Sequence, residues 1–248
     1  MSKQYIYGAR AIIEAIESQV IIDKIWIDRN KQSSLIKEVI QLCKEHKIPF
    51  QFVPEEKFLS FKNKNHQGIV AKSSLIEFQS IENIIINTYE KGEVPLILIL
   101  DGISDVRNFG AIARTALSSG VHAIIIEQKG NAQINEDAIK TSAGALLHIP
   151  VCREESLKKT IDLLRLHGIN IVACTEKAQQ NIYEIPLIGP LAFIFGNEEK
   201  GISQYLIKTA SYLVKIPMLG KVSSLNVSVA TGIVLYECVR QRNFNNIK

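Results

Sequence analysis

The stretch LILIL, Leu96–Leu100, decides the class of fold. A strand with one exposed face alternates apolar and polar residues, whereas a strand buried on both faces of a parallel sheet is apolar throughout. Further apolar runs and segments typical of helices follow in alternation: strands at residues 122–126, 170–174 and 191–195, and helices at 108–119, 135–143 and 156–167. Residues 95–248 are therefore predicted to form an α/β domain with a mainly parallel sheet.

A smaller α/β domain is predicted in residues 1–75. Its elements are helices at 7–16 and 33–46 and strands at 24–27 and 50–53. A polar loop, Lys62–Gly68, suits contacts with phosphate and ribose, and it equally suits a solvated turn. Residues 76–94 are polar and mildly acidic, and we expect them to form a linker with one helix.

The excess positive charge lies in the first domain. The net charge of the chain is +4. Residues 1–75 hold twelve Lys and Arg against eight Asp and Glu, so residues 76–248 carry no net charge. Charge of this sign attracts polyanions such as RNA or DNA, although +4 on a small domain is also ordinary for a solvated surface.

The composition is that of a soluble globular protein, with 46% hydrophobic and 22% charged residues. No uncharged run reaches the roughly 18 residues that a membrane span needs, and the first residues lack a signal-peptide core, so we expect a cytoplasmic protein. The cysteines are far apart and are expected to be reduced and buried: Cys43, Cys152, Cys174 and Cys238. No group of residues has metal-ligand spacing, so no metal is expected.

Polar residues and glycines follow the predicted strands, at the edge where α/β sheets bind ligands. Residues 101–110 lead into a helix that carries Arg114, and Gly196–Gly201 follows another strand. A third segment, Ile216–Asn226, opens a helix. No P-loop, no GxGxxG after a strand and no GxSxG elbow is present, which argues against P-loop nucleotidases, dinucleotide dehydrogenases and α/β-hydrolases.

The helix after Asn226 carries no charge from Val227 to Tyr236, so we expect it to be covered on nearly all sides. Serine and asparagine before such a helix are usual N-cap residues. Polar groups at the mouth of a buried helix also indicate a site, because free N–H groups and the positive end of the helix dipole lie there.

Three stretches together resemble the SpoU-type RNA ribose 2′-O-methyltransferases of the SPOUT superfamily: LDGISDVRNFGAIARTA (Leu100–Ala116), IFGNEEKGIS (Ile194–Ser203) and IPMLGKVSSLNVSVATGIVLYE (Ile216–Glu237). YGARAIIEAI and HQGI resemble the family's small RNA-binding domain. The resemblance is closest to the subfamily that methylates a guanosine ribose in the peptidyl-transferase region of large-subunit (23S) ribosomal RNA. Val106 departs from the proline that the family often has after Asp105, which would stiffen the turn.

The resemblance implies that S-adenosylmethionine binds within a deep trefoil knot. The residues expected to contact it are Thr175, Gly196, Asn197, Ile216, Met218 and Leu225. Gly196 would let the backbone approach the cofactor closely, and the apolar residues would supply walls. The family forms homodimers through helices of the knotted domain, so RNA and a second copy of the chain are the expected partners.

The resemblance assigns the reaction to Asn108, Arg114, Glu198, Ser224 and Asn226. A ribose hydroxyl must lose its proton as it attacks. Because arginine is almost always protonated, Arg114 either takes the proton in a special environment or holds phosphate and stabilises the oxyanion. Asn108, Ser224 and Asn226 would orient the ribose and Arg114, and Glu198 could pair with Arg114 or anchor its loop.

Blander interpretations of the same residues stay open. Taken singly, Asn108 is a helix cap, Glu198 a surface charge and Arg114 a solvated helix residue. Two rival functions also remain: methylation of transfer RNA, and catalytically silent RNA binding on the same fold. The first domain argues against transfer RNA, because the family's transfer-RNA members usually lack it.

Overall fold

The computed structural model describes residues 5–128, 130–132 and 134–244. The chain forms two compact units, Met1–Glu77 and Phe78–Lys248.

The first unit is a four-stranded sheet in the order β1-β4-β2-β3, with two helices. Its elements are β1 (Tyr5–Tyr7), α1 (Ala9–Glu17), β2 (Ile22–Asp28), α2 (Ser34–Glu45), β3 (Phe50–Val53), a 3₁₀ segment (Glu55–Phe61) and β4 (Ile69–Ser73). Strands β2 and β3 are parallel, and β4 is antiparallel to both β1 and β2. The helices bury their apolar stripes on one face of the sheet, where Ile12, Ile25 and Val39 are fully buried.

The second unit is a seven-stranded parallel sheet in the order β7-β6-β5-β10-β8-β11-β9. Its strands are β5 (Leu96–Asp101), β6 (Ala123–Glu127), β7 (Val151–Glu154), β8 (Asn170–Cys174), β9 (Gln180–Asn181), β10 (Leu191–Gly196) and β11 (Tyr212–Lys215). Its helices are α3 (Ile81–Glu90), α4 (Val106–Ser118), α5 (Glu136–Thr141), α6 (Leu157–Leu166), α7 (Gln204–Ile207) and α8 (Val227–Phe244). This architecture confirms the predicted α/β class.

Strand β5 lies inside the sheet, between β6 and β10, and all six of its residues are buried. That position explains why Leu96–Leu100 shows no alternation. Three short strands of the second unit were not predicted from the sequence: β7, β9 and β11. They have two to four residues each, too few for a periodic pattern.

The segment expected to be a linker, residues 76–94, belongs largely to the second unit. Ile81, Ile84 and Ile85 of α3 are buried in the same core as Ile97 and Ile99 of β5. The spacing of these α3 residues, i, i+3 and i+4, is that of a helix with one apolar face. The acidic residues of α3 lie on its exposed face, and they made the segment resemble a polar linker in the sequence.

Helix α8 is covered on fewer sides than the sequence indicated. Thr231, Val234, Leu235 and Cys238 are buried. Among the exposed large apolar side chains, Val229 is 50% and Tyr236 is 52% exposed. Within one chain, therefore, part of this uncharged helix faces outward.

Cys43, Cys152 and Cys238 are buried free thiols, and Cys174 is half-buried. Burial raises the pKa of Cys43 to about 11 and that of Cys152 to about 12, so both thiols are protonated at neutral pH. Within the described ranges, no group of His, Cys, Asp and Glu residues could hold a metal ion. No helix in that part of the chain is long and apolar enough to cross a membrane.

The C-terminal end of α8 is fixed by Arg242. Its guanidinium donates to the carbonyl oxygens of Leu187 (3.2 Å), Val94 (3.0 Å), Pro95 (3.1 Å) and Gly189 (2.6 Å). These bonds join α8 to both chain segments that enter the central strands β5 and β10. Burial lowers the pKa of Arg242 from its ordinary value, and the four acceptors offset the cost of burying the charge.

Replacement of Arg242 by methionine should lower the free energy of unfolding by about 2–4 kcal/mol, because four carbonyl groups lose a charged donor. Urea unfolding followed by circular dichroism measures the change. Arg107→Met, which removes an exposed arginine of α4, is the matched control and should change stability by less than about 0.5 kcal/mol. Equal effects of the two substitutions would contradict the anchoring role of Arg242.

Candidate active site

A cavity of about 540 Å³ opens at the carboxyl ends of β8, β10 and β11. Its lining comes mainly from residues 174–177, 195–202, 214–216, Met218 and 223–227. Strands that run parallel end at the same edge of the sheet, so loops far apart in sequence converge there. The volume is typical of a small-molecule site.

The structure brings together all six residues expected to contact a cofactor. They line this one cavity: Thr175, Gly196, Asn197, Ile216, Met218 and Leu225. The three apolar residues are half-buried, which leaves part of each available to a ligand.

Gly196 has a structural reason to be glycine that differs from the expected one. A Cβ at this position would lie 2.2 Å from the carbonyl carbon of Gly201 and 2.3 Å from the backbone nitrogen of Ile202. The end of β10 therefore packs directly against the backbone of the loop that returns past it. This contact shapes the cavity wall whether or not a ligand approaches Gly196.

Asn197 holds the loop that follows β10. Its Oδ1 accepts from the backbone N–H groups of Glu199 (2.9 Å) and Lys200 (3.3 Å). Its Nδ2 donates to the carbonyl oxygen of Gly102 (3.0 Å), in the loop that follows β5. The side chain thus joins two loops of the sheet edge, and the Asn197 carbonyl oxygen accepts from the backbone N–H of Gly201 (2.8 Å).

Three of the five residues expected to carry the reaction form a polar cluster. Oε1 of Glu198 accepts from Nδ2 of Asn108 (3.1 Å) and from Nδ2 of Asn226 (2.7 Å). Nδ2 of Asn226 also lies 2.9 Å from Oδ1 of Asn108. Glu198 and Asn226 line the cavity, so the cluster stands at its mouth.

Asn108 is not the cap of its helix. Helix α4 begins two residues earlier, at Val106, and Oδ1 of Asp105 caps it by accepting from the backbone N–H of Asn108 (2.7 Å). The Asn108 side chain is therefore free to reach Glu198. Val106 takes the first helical position, where proline is favoured, and the cap holds the turn without it.

Asn226 is both a cap and a member of the cluster. Its Oδ1 accepts from the backbone N–H groups of Ser228 (3.0 Å) and Val229 (3.4 Å) at the start of α8. The backbone N–H of Val227 donates to Oε1 of Glu198 (3.3 Å). The carboxylate thus lies at the positive end of the α8 dipole, which stabilises its charge.

Ser224 and Arg114 stand apart from the cluster. Ser224 lines the cavity and is exposed, with no hydrogen bond among the described contacts. Arg114 is exposed on α4, six residues or about 9 Å beyond Asn108, and does not line the cavity. Within the part of the chain that the structure describes, it has no hydrogen-bond or ion-pair partner, so the pair with Glu198 is not formed.

Several cavity residues were not identified from the sequence. Phe195 and Val214 belong to its apolar wall, and Lys177 and Lys215 add positive charge. Lys215 ends β11, whose four residues gave no recognisable pattern. The strand-end position of Lys177, just after β8, was the one signal that could have pointed to it.

Each unit matches a protein family. The SpoU rRNA Methylase family matches residues 95–236, and the family described as RNA 2′-O ribose methyltransferase substrate binding matches residues 5–79. YacO from Bacillus subtilis, provisionally named a TrmH family tRNA/rRNA methyltransferase, is 36% identical over 245 residues, which is 98% of each chain.

Solved structures share the fold to different extents. An AdoMet-bound rRNA methyltransferase from Sinorhizobium meliloti has a TM-score of 0.61 at 22% identity, covering 95% of this chain and 86% of that one. At that identity the likeness concerns the fold alone. A TrmH/SpoU tRNA modifying enzyme from A. aeolicus has a TM-score of 0.55 at 30% identity, covering 64% of this chain and 83% of that one.

The parallel sheet, the cavity at its carboxyl edge and these matches define an RNA methyltransferase. The chain belongs to the SpoU rRNA methylase family.

Gly196→Ala should lower the free energy of unfolding by about 3 kcal/mol or more, because the new methyl group would collide with the backbone of Gly201 and Ile202. Thermal unfolding checks this expectation. The matched control is Gly189→Ala, where nothing lies within 4 Å of the added Cβ, and stability should be unchanged or slightly higher. A Gly196→Ala variant as stable as the wild type would show that the strand end and the loop separate easily.

Proposed function

We propose that the protein transfers the methyl group of S-adenosylmethionine to a ribose 2′-hydroxyl of RNA. The observation that carries this proposal is the cluster of Asn108, Glu198 and Asn226 at the mouth of a cavity lined by all six residues expected to bind the cofactor. S-adenosylmethionine supplies an electrophilic methyl group when bound. The trefoil knot expected around its site stays a prediction.

The cavity offers what such a cofactor needs. Ile216, Met218 and Leu225 present apolar surface to an adenosine ring, and backbone groups near Gly196 and Thr175 can bond its polar edges. The Sinorhizobium meliloti relative, whose fold the chain shares, carries AdoMet.

The chain's own residues align and deprotonate the hydroxyl. Transfer forms a bond between the ribose oxygen and the methyl carbon, breaks the bond from that carbon to sulfur, and releases the hydroxyl proton. The amide groups of Asn108 and Asn226 are fixed by Glu198 and can orient the ribose. Arg114 either takes the proton as a neutral guanidine, in an environment that removes its own proton, or stabilises the developing oxyanion as the guanidinium.

The substrate is a guanosine of 23S ribosomal RNA, in the cytoplasm. The support is the first unit, which matches a family of substrate-binding domains over residues 5–79. The rRNA methyltransferase from Sinorhizobium meliloti aligns with 95% of this chain, whereas the tRNA modifying enzyme from A. aeolicus aligns with 64%. Transfer RNA is the alternative, since YacO is named for both substrates.

A homodimer completes the site. Arg114 does not line the cavity of its own chain, and it shares the exposed face of α4 with Leu117, which is 40% exposed. Neighbouring α8 exposes Val229 and Tyr236. A second copy packed on this apolar surface would cover α8 and could receive Arg114 at its own cavity.

Arg114→Ala should reduce methyl transfer to ribosomal RNA by at least about 100-fold, because the reaction loses the group assigned to take the proton or to stabilise the oxyanion. Transfer of a radiolabelled methyl group measures the loss. Isothermal titration calorimetry should show affinity for S-adenosylmethionine within about twofold of wild type, since Arg114 does not line the cavity. Equal loss of cofactor binding would assign Arg114 to the pocket, and no binding by the wild type would contradict the enzyme proposal.

A mixed dimer shows which chain supplies Arg114. Arg114→Ala and Asn108→Ala chains with different tags are co-expressed, and the dimer carrying both tags is purified. If Arg114 serves the partner's site, one of the two sites is intact and activity returns to about half of wild type. If each site uses its own Arg114, the mixed dimer stays inactive.

Ribose-methylation mapping of ribosomal RNA from a strain lacking the protein should show one guanosine of the large-subunit RNA without its methyl group. Expression of the wild-type protein should restore it, and the Arg114→Ala variant should not. Loss of a transfer-RNA methyl group, with ribosomal RNA unchanged, would favour the alternative substrate.

A further inference from the structure

Three segments of the first unit meet at one edge of its sheet: the loop Lys62–Gly68, the turn Arg29–Lys31 and the start of α1. The backbone N–H of Gly8 donates to the carbonyl oxygen of Ile69 (3.2 Å), and that of Asp28 donates to Gly68 (2.8 Å). We call this surface the basic edge, because its exposed charged side chains are Arg10, Arg29, Lys31, Lys62 and Lys64.

Few carboxylates balance this charge. Glu55 and Glu56 lie at the same end of the sheet, just after β3, and Asp28 is buried, with Oδ1 bonded to the backbone N–H of Asn30 (2.9 Å). The opposite end of the sheet is balanced: its charged residues include Glu17, Lys44, Glu45 and Lys47, and the ion pair of Lys72 with Asp23 (3.8 Å). The excess positive charge of the first unit is therefore concentrated at one end of its sheet. Solvation of the surface alone would be served equally well by an even distribution of charge.

The loop at this edge is held in one shape. The His66 ring stacks on Phe58 with centroids 5.0 Å apart, and its Nδ1 accepts from the backbone N–H of Gly68 (3.0 Å). Gln67 has a φ of 51°, in the left-handed region, which costs roughly 1 kcal/mol for a residue with a side chain.

Lys31 is held against the same loop. A Cβ on Gly68 would lie 2.6 Å from Cγ of Lys31, so the absence of a side chain at residue 68 lets the aliphatic stem of Lys31 pack there. The stem is fixed and the ammonium remains exposed beside the segment that carries Lys62 and Lys64.

We propose that the basic edge binds the sugar–phosphate backbone of the substrate RNA. This inference rests on the proposed function and names the surface that would hold its substrate. Ammonium and guanidinium groups bind phosphate oxygens, and the exposed amides of Asn65 and Gln67 suit ribose hydroxyls. The His66 contacts hold the loop backbone, which lowers the ordering cost of binding.

The test compares two double variants of the full-length protein: Lys62→Gln/Lys64→Gln at the basic edge and Lys44→Gln/Lys47→Gln at the opposite end. Each removes two exposed positive charges from the same unit. Fluorescence anisotropy measures binding to a labelled transcript of the peptidyl-transferase region of 23S ribosomal RNA over a series of KCl concentrations. The basic-edge variant should bind roughly tenfold more weakly, and its slope of log affinity against log salt should fall by about 2.

The control variant should keep the wild-type affinity and salt slope to within about twofold and about 0.5, respectively. Equal weakening of both variants would overturn the inference, since net charge alone would then explain binding. Wild-type binding by the basic-edge variant, in an enzyme that still methylates RNA, would overturn the inference and leave the proposed function intact. Binding that depends on the basic edge, without methyl transfer by the wild type, would contradict the proposed function instead.

Discussion

One oxygen atom, Oε1 of Glu198, joins the parts of the candidate site that the chain brings from far apart. It accepts from the Asn108 side chain on α4, and from the Asn226 side chain and the Val227 backbone at the start of α8. A carboxylate can accept several hydrogen bonds at once, and the positive end of α8 favours its charge. Without this acceptor, the side-chain amides of Asn108 and Asn226 and the backbone N–H of Val227 would lose the hydrogen-bond acceptor that they share.

The network is possible because the sheet is parallel. Strands β5 and β10 are neighbours in register, with Asp101 beside Gly196, so the loops after both strands emerge at the same edge. The missing side chain at Gly196 lets the returning loop pack closely, and the amide of Asn197 joins that loop to Gly102. These contacts place Glu198 within hydrogen-bond distance of Asn108, which is 90 residues away in sequence.

Helix α8 combines structural and functional roles along its length. Its first turn belongs to the polar cluster, through Asn226 and Val227. Its last turns are fixed by Arg242 to the segments that enter β5 and β10. A helix held at both ends can keep the cluster in place, while its exposed residues Val229 and Tyr236 remain available to a second copy of the chain.

Much of the fold could be predicted from the sequence, because the hydrophobic pattern of a strand reports its own burial. The apolar run Leu96–Leu100 predicted a strand buried on both faces, and β5 is buried along its whole length. The strand β11 was missed because four residues are too few to show a hydrophobic period. The apolar face of α3 was missed because acidic residues lie between its apolar positions. The six residues that the family resemblance assigned to the cofactor line one cavity.

Sequence alone determined which residue types stand at the strand ends and that the first unit carries the positive excess. Only the tertiary structure decided how those residues are used. Asp105 takes the cap of α4 and frees Asn108 for Glu198, while Arg114 does not line the cavity of its own chain. The reason is physical: hydrogen bonds of 2.7 to 3.1 Å between residues 28 and 90 positions apart depend on the packing of the whole sheet, which no local pattern encodes.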